Sequence, residues 1–113
     1  MIYRIASADD WQRAITTGWF ASADLAAEGF IHASEKSQIL RTAQKYYRGQ
    51  SGLTLLEIDD LAMRDQVVRE DLTGSGVAFP HVYGAIPLAS IRRHFAFDPD
   101  ASGVFSLPAA LSA

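Results

Sequence analysis

Cysteine is absent from this chain, and with it go disulfides, thiolate zinc sites and cysteine nucleophiles. A basic surplus is also missing. The 10 Lys and Arg are outnumbered by 13 Asp and Glu, for a formal charge of −3, whereas general nucleic-acid binders carry cations to displace phosphate counterions. Only Lys36, Arg41, Lys45 and Arg48 cluster. No window approaches the ~20 apolar residues that cross a bilayer, and the opening MIYRIASADDW is charged early rather than apolar like a signal peptide. A cytoplasmic protein without membrane contact is the expectation. The nucleophile elbow GxSxG does not occur, nor do the short ligand spacings HxH and HExxH.

What is present is the composition of one soluble globular domain: 113 residues, 49% hydrophobic and 20% charged. Ile2 to Ala6 reads as a strand. Ser7 caps a helix, with Asp10 three residues on in a capping-box arrangement, Trp11, Ala14 and Ile15 on one face, and Gly18 as the stop. WFASADLAAE has no firm period and reads as loop with a helical turn at most. Phe30 to Ala33 is a second strand, and Ser34 is the natural N-cap of a helix striped by Ile39, Leu40, Ala43, Tyr46 and Tyr47 and closed by Gly49. GLTLLEID is the strongest strand, QVVRED its plausible partner, and LTGSG a turn. VAFPHVYG is a short strand that Pro80 should confine to an edge or an entrance. IPLASIRRHFAFD begins as a helical turn and ends as a strand, and the rest of the chain is a loosely packed tail. The order predicts an α+β domain with two early helices and a largely antiparallel sheet.

Three stretches carry candidate chemistry. In GFIHAS, alternation sets Phe30, His32 and Ser34 on one side of a strand. A following helix start would favour an anion, so His32 can donate to a hydroxyl, a carbonyl or a phosphate, or simply bond a backbone carbonyl. In REDLTGSGVAFPHVYG, Glu70 and the alternating Phe79, His81 and Tyr83 bring a carboxylate and an imidazole near a turn containing Gly74 and Gly76. That pairing suits acid–base work or capture of a diol; the plainer alternative is a solvated strand end. In KYYRG, one of Tyr46 and Tyr47 packs in the core, while the other offers an aromatic wall with Arg48 beside it. His94 reads as structural or surface, and Trp11 and Trp19 as core or lid residues. A metal site from His32, Glu70 and His81 lacks any supporting spacing, so no metal is expected. HAS at His32–Ser34 matches one half of a two-motif phosphoesterase signature, but His81 is followed by VYG instead of the second half.

GFIHAS, YYRGQSGLTLLEID and VVREDLTGSGVAFPHVYGAIPL, in that order, resemble the bacterial family called domain of unknown function 952. The likeness runs from Ile2 to Phe97 as a single domain, 1–97, leaving 98–113 as a C-terminal tail. It implies a fold similar to the ADP-ribosyltransferases, a split, largely antiparallel α+β sheet whose cleft takes NAD. It further implies His32 as the strand-borne residue that holds a ribose, together with Ser34, Tyr46, Tyr47, Arg48 and Tyr83 on the ligand. Glu70 or His81 would stand in for the late catalytic Glu, since the STS strand and ExE pair of those enzymes are absent. NAD is then the expected substrate and a small nucleotide the expected partner. A non-catalytic binding module on the same scaffold is the alternative, with a small phosphoesterase behind it.

Overall fold

The computed structural model describes residues 1–112. Strand β1 (Ile2–Ala6) leads into helix α1 (Ala8–Thr17), whose N-cap Ser7 accepts a hydrogen bond from the Asp10 amide through its side chain. Only half of the expected capping box forms, because the Asp10 carboxylate turns instead to Arg13, one turn further on. Gly18 closes the helix at φ 86°, a left-handed conformation that a side chain would resist. Ile15, expected on the buried face with Ala14, is about half exposed.

The stretch without a firm period is more ordered than its pattern suggests. It holds strand β2 (Trp19–Phe20) and a third early helix, α2 (Ala23–Glu28). A two-residue strand has too few positions to show alternation, and one and a half helical turns too few to show a stripe. Strand β3 (Ile31–His32) follows. Ser34 is not a helix cap. Its backbone bridges to Tyr3, and Glu35 caps the next turn in a reciprocal box with Gln38. Helix α3 (Ile39–Tyr46) then buries Ile39 and Ala43 and ends before Gly49.

The remaining strands are β4 (Leu53–Ile58), β5 (Val67–Glu70), β6 (Phe79–Val82), β7 (Ile86–Pro87) and β8 (Ile91–Phe97). They form three antiparallel groups in the orders β1-β4-β8, β2-β7 and β3-β6-β5. Thus β5 pairs with β6 rather than with β4. Pro80 lies in the central strand of its sheet, not at an edge. It stands at the entrance of β6 opposite Ala33, where the β3 ladder ends: its carbonyl accepts from the Ala33 amide, and its missing N–H removes only the return bond of that terminal rung.

The β1-β4-β8 sheet is apolar on both faces. Ile2, Ala6, Leu56 and Ile58 enter one core with Phe20, Ile31 and Val82; Tyr3, Ile5, Leu53, Leu55 and Phe97 enter a second beneath α3. The tail is not loosely packed. Phe105 and Leu111 are buried in the second core, and the Phe105 ring stacks on Phe97 at 5.1 Å. Among the described residues, no helix is long and apolar enough to cross a membrane.

Candidate functional site

The site begins where two strands separate. Tyr3 and Ser34 exchange both backbone hydrogen bonds, at 2.8 and 2.7 Å. Continuing that antiparallel register would set Ile5 against His32 as the next hydrogen-bonded rung, but the strands diverge and the rung stays open. Side chains take its place. The Asp24 carboxylate accepts from the His32 amide at 2.8 Å, Arg4 Nη1 donates to the His32 carbonyl at 3.0 Å, and the Tyr47 hydroxyl donates to the Ile5 carbonyl at 3.3 Å. Backbone groups leaving a ladder need such partners.

Arg4 and Asp24 are also paired with each other at 2.7 Å, with side chains only 13% and 15% exposed. Burial pushes the Asp24 carboxyl up, but the Arg4 guanidinium, the His32 amide and the Ser22 hydroxyl outweigh it and hold the group below the usual carboxylate range. The Arg4 Nε is buried without a partner among the described residues.

The opened rung faces a cleft of about 1040 Å³. His32, Glu70 and His81, taken from three separate segments of sequence, all line it. The register explains the meeting: β3 pairs with β6 so that His32 stands opposite His81, and β6 pairs with β5 so that Val68 stands opposite His81 with Glu70 two residues on. The two imidazoles meet edge to face, with ring centroids 5.3 Å apart. Phe30, itself buried, stacks on His81 at 4.1 Å and meets His32 edge-on at 4.9 Å, fixing both rings.

Each imidazole is backed by a carboxylate. Glu70 Oε1 lies 2.8 Å from His81 Nδ1 and also accepts from the Tyr83 hydroxyl. These bonds, Tyr83 first, hold the Glu70 carboxyl below its ordinary range, while the same contact raises the Tyr83 hydroxyl. An ionised carboxylate only accepts, so His81 Nδ1 is the donor. That leaves His81 Nε2 and Glu70 Oε2 without bonds to the described residues. His32 Nε2 pairs with Glu28 on α2, leaving its Nδ1. A buried imidazole oriented by a carboxylate, with a free carboxylate oxygen beside it, can take up a proton and stabilise a developing positive charge.

The other expected residues fall into three positions. Ser34 lines the cleft, but its hydroxyl is engaged with Thr42 at 3.2 Å. Tyr46 and Tyr47 both line it; Tyr47 is half-buried against the second core, and Tyr46, 64% exposed, is the outer aromatic wall, with the Lys45 ammonium 5.2 Å from its ring centroid. Arg48 is exposed and does not line the cleft, since α3 ends at Tyr46 and the chain turns away. Tyr83 acts on the site through Glu70 rather than from the cleft wall. Outside the site, His94 is exposed and packs on Trp11 at 5.0 Å, and Trp19 is 54% exposed.

Arg4 and Asp24 are additions that the motif reading did not single out. A signal for Arg4 was present: in IYRIA it has the inward parity of Ile2 and Ala6. Asp24 gave none beyond its place in the first turn of a short helix.

The chain matches the family model described as Protein of unknown function (DUF952) over residues 5–94 and belongs to that family. It is similar to the crystal structure of protein CC0527 from Caulobacter crescentus, with a TM-score of 0.89 and 36% identity over 99% of this chain and 98% of that one. The solution structure of the same Caulobacter protein gives a TM-score of 0.80 and 38% identity, over 91% of this chain and 89% of that one. No curated protein matches the chain.

Proposed function

We propose that this member of the DUF952 family is an ADP-ribosyltransferase-like protein that takes NAD, or a related nucleotide, in the cleft at the opened β1–β3 rung. One observation carries the reading. His32, Glu70 and His81 converge on a single concavity of about 1040 Å³, at the upper end of the roughly 300–1,000 Å³ typical of small-molecule sites.

His32 meets a ribose hydroxyl through Nδ1, and Tyr46 stacks on a flat heterocycle. In the transfer step the ribose C1′–nitrogen bond breaks, and nicotinamide leaves with the electron pair. Glu70 Oε2 accepts from the ribose 2′-hydroxyl and offsets the cationic sugar. The acceptor's oxygen or nitrogen bonds to C1′ and yields its proton to His81 Nε2. A non-catalytic binding module is the second reading. What favours it is that Glu28 already occupies His32 Nε2 and Tyr83 shares the oxygen of Glu70 that orients His81.

Titration calorimetry with NAD and ADP-ribose, on the native protein and on His32→Ala, tests the nucleotide reading. Loss of one ribose hydrogen bond should weaken binding by about tenfold. No binding of either ligand at millimolar concentration rejects it. NAD consumption then separates the two readings: turnover lost in His81→Ala with the ligand still bound supports the enzyme, and binding without turnover in the native protein supports the module.

A further inference from the structure

Five of the ten basic residues, Arg4, Arg13, Arg69, Arg92 and Arg93, are committed to carboxylates. Among the described residues Lys36, Arg41, Lys45, Arg48 and Arg64 make no ion pair. Of these five, only Arg41 and Lys45 line the cleft. They stand one helical turn apart on α3, on the face that also presents Thr42 and Tyr46. The opposite face of the helix is anchored in the core through Ile39 and Ala43, so the helix presents these two exposed side chains at the cleft, with the Lys45 ammonium 5.2 Å from the Tyr46 ring centroid.

The acidic residues of the cleft are arranged differently. Glu28 and Glu70 belong to the imidazoles, Asp24 to Arg4, and Asp10 to Arg13. Asp71 is engaged by the Ser75 and Gly76 amides within its own loop. The cleft is therefore dipolar. Negative charge comes from α2 and the end of β5, behind the imidazoles, and unpaired positive charge comes from α3.

From this we infer that Arg41 and Lys45 form a phosphate subsite, so that the ligand of the cleft carries a diphosphate lying along α3 and a cationic or neutral sugar-linked group at the imidazoles. The inference rests on the nucleotide reading and narrows it to diphosphate-bearing ligands. Guanidinium and ammonium groups held side by side suit adjacent phosphates. The carboxylates at the other end suit a positively charged heterocycle.

The test is the double variant R41Q/K45Q, titrated with inorganic pyrophosphate, ADP-ribose and nicotinamide riboside. Both side chains are exposed, so the fold should hold, and a thermal melt checks it. The charge-preserving swap R41K/K45R is the control for shape. Pyrophosphate and ADP-ribose should weaken by about tenfold or more in R41Q/K45Q, nicotinamide riboside should be unaffected, and the swap should restore most of the loss. Raising salt should weaken the two phosphate ligands in the native protein and much less in the variant. ADP-ribose binding that is unchanged in R41Q/K45Q overturns the subsite while leaving the nucleotide reading intact. Pyrophosphate binding that depends on these two residues, without any binding of NAD or ADP-ribose, keeps the subsite and rejects the nucleotide. No binding of pyrophosphate or ADP-ribose to the native protein overturns the subsite as well.

Discussion

Replacing Asp24 by Ala should be among the most damaging single changes to this protein, although the residue sits in a six-residue helix near the surface. The native carboxylate accepts from Arg4 at 2.7 Å, from the His32 amide at 2.8 Å and from the Ser22 hydroxyl. Hydrogen bonds to charged groups contribute about 1.5–3 kcal/mol each, and stranding one partner of a buried pair costs about 3–5 kcal/mol. Because the pair keeps 13% and 15% exposure, water recovers part of the loss, and a net cost of about 3–4 kcal/mol is expected. At about 4 °C per kcal/mol for a domain of this size, Tm should fall by about 12–16 °C. The companion double variant sharpens the test. Arg4→Met with Asp24→Ala removes both charges, so it should be less destabilised than the sum of the singles. The penalty should also depend on pH. The folded Asp24 carboxyl titrates below its unfolded value, so its contribution is fully present above about pH 4 and fades as pH falls through the folded pKa. The gap in Tm between native protein and variant should close in acid. Thermal and urea unfolding across that range would check it. A variant melting within about 3 °C of the native protein at neutral pH, or singles that simply add, would refute the clamp.

Phe105→Ala should cost about 3–5 kcal/mol in urea unfolding, because the ring is 4% exposed and stacks on Phe97; a tail that merely trails from the domain would show almost no change. Glu70→Gln should loosen the tautomer of His81, read by nitrogen-15 NMR as a loss of the strict Nδ1–H form that the carboxylate imposes. An unchanged tautomer in that variant would mean that Glu70 does not orient the ring.

Legibility in the sequence followed how local each signal was. α1 was readable because Ser7, the apolar spacing and Gly18 all lie within one element, and β4 because six residues of apolar, β-branched chain admit few alternatives. Pro80 pointed to an edge or a strand entrance; it stands at the entrance of β6, and only the pairing shows that this strand is central. The missing N–H removes one bond of the terminal Ala33–Pro80 rung and nothing beyond it, since the β3 ladder stops there. His32, Glu70 and His81 could be nominated by residue type and turn context. Their meeting could not be read off, since it depends on which strands pair and in what register, and QVVRED offered as good a partner for β4 as for β6. Arg48 was grouped with its tyrosine neighbours by proximity in sequence, but helical direction ends with Tyr46. The dipolar character of the cleft was invisible for a similar reason: a net charge of −3 says nothing about which cations have already been neutralised.

The opened rung ties these observations together. A β-ladder that stays closed between β1 and β3 would satisfy Ile5 and His32 with each other and leave no concavity there. Once the strands part, the carbonyls and the His32 amide require partners, and Arg4, Asp24 and Tyr47 supply them. Those side chains come from β1, α2 and the C-cap of α3, so the same bonds that cap the open rung also draw three elements to its rim. The backbone of His32 is thereby fixed, while its ring is held by Phe30 and Glu28 with Nδ1 left without a bond to the described residues. A polar cluster that served only to satisfy backbone groups would have no need of the second imidazole, its orienting carboxylate or the unpaired cations of α3. Their presence around one concavity is the ground on which the proposal of a binding site rests.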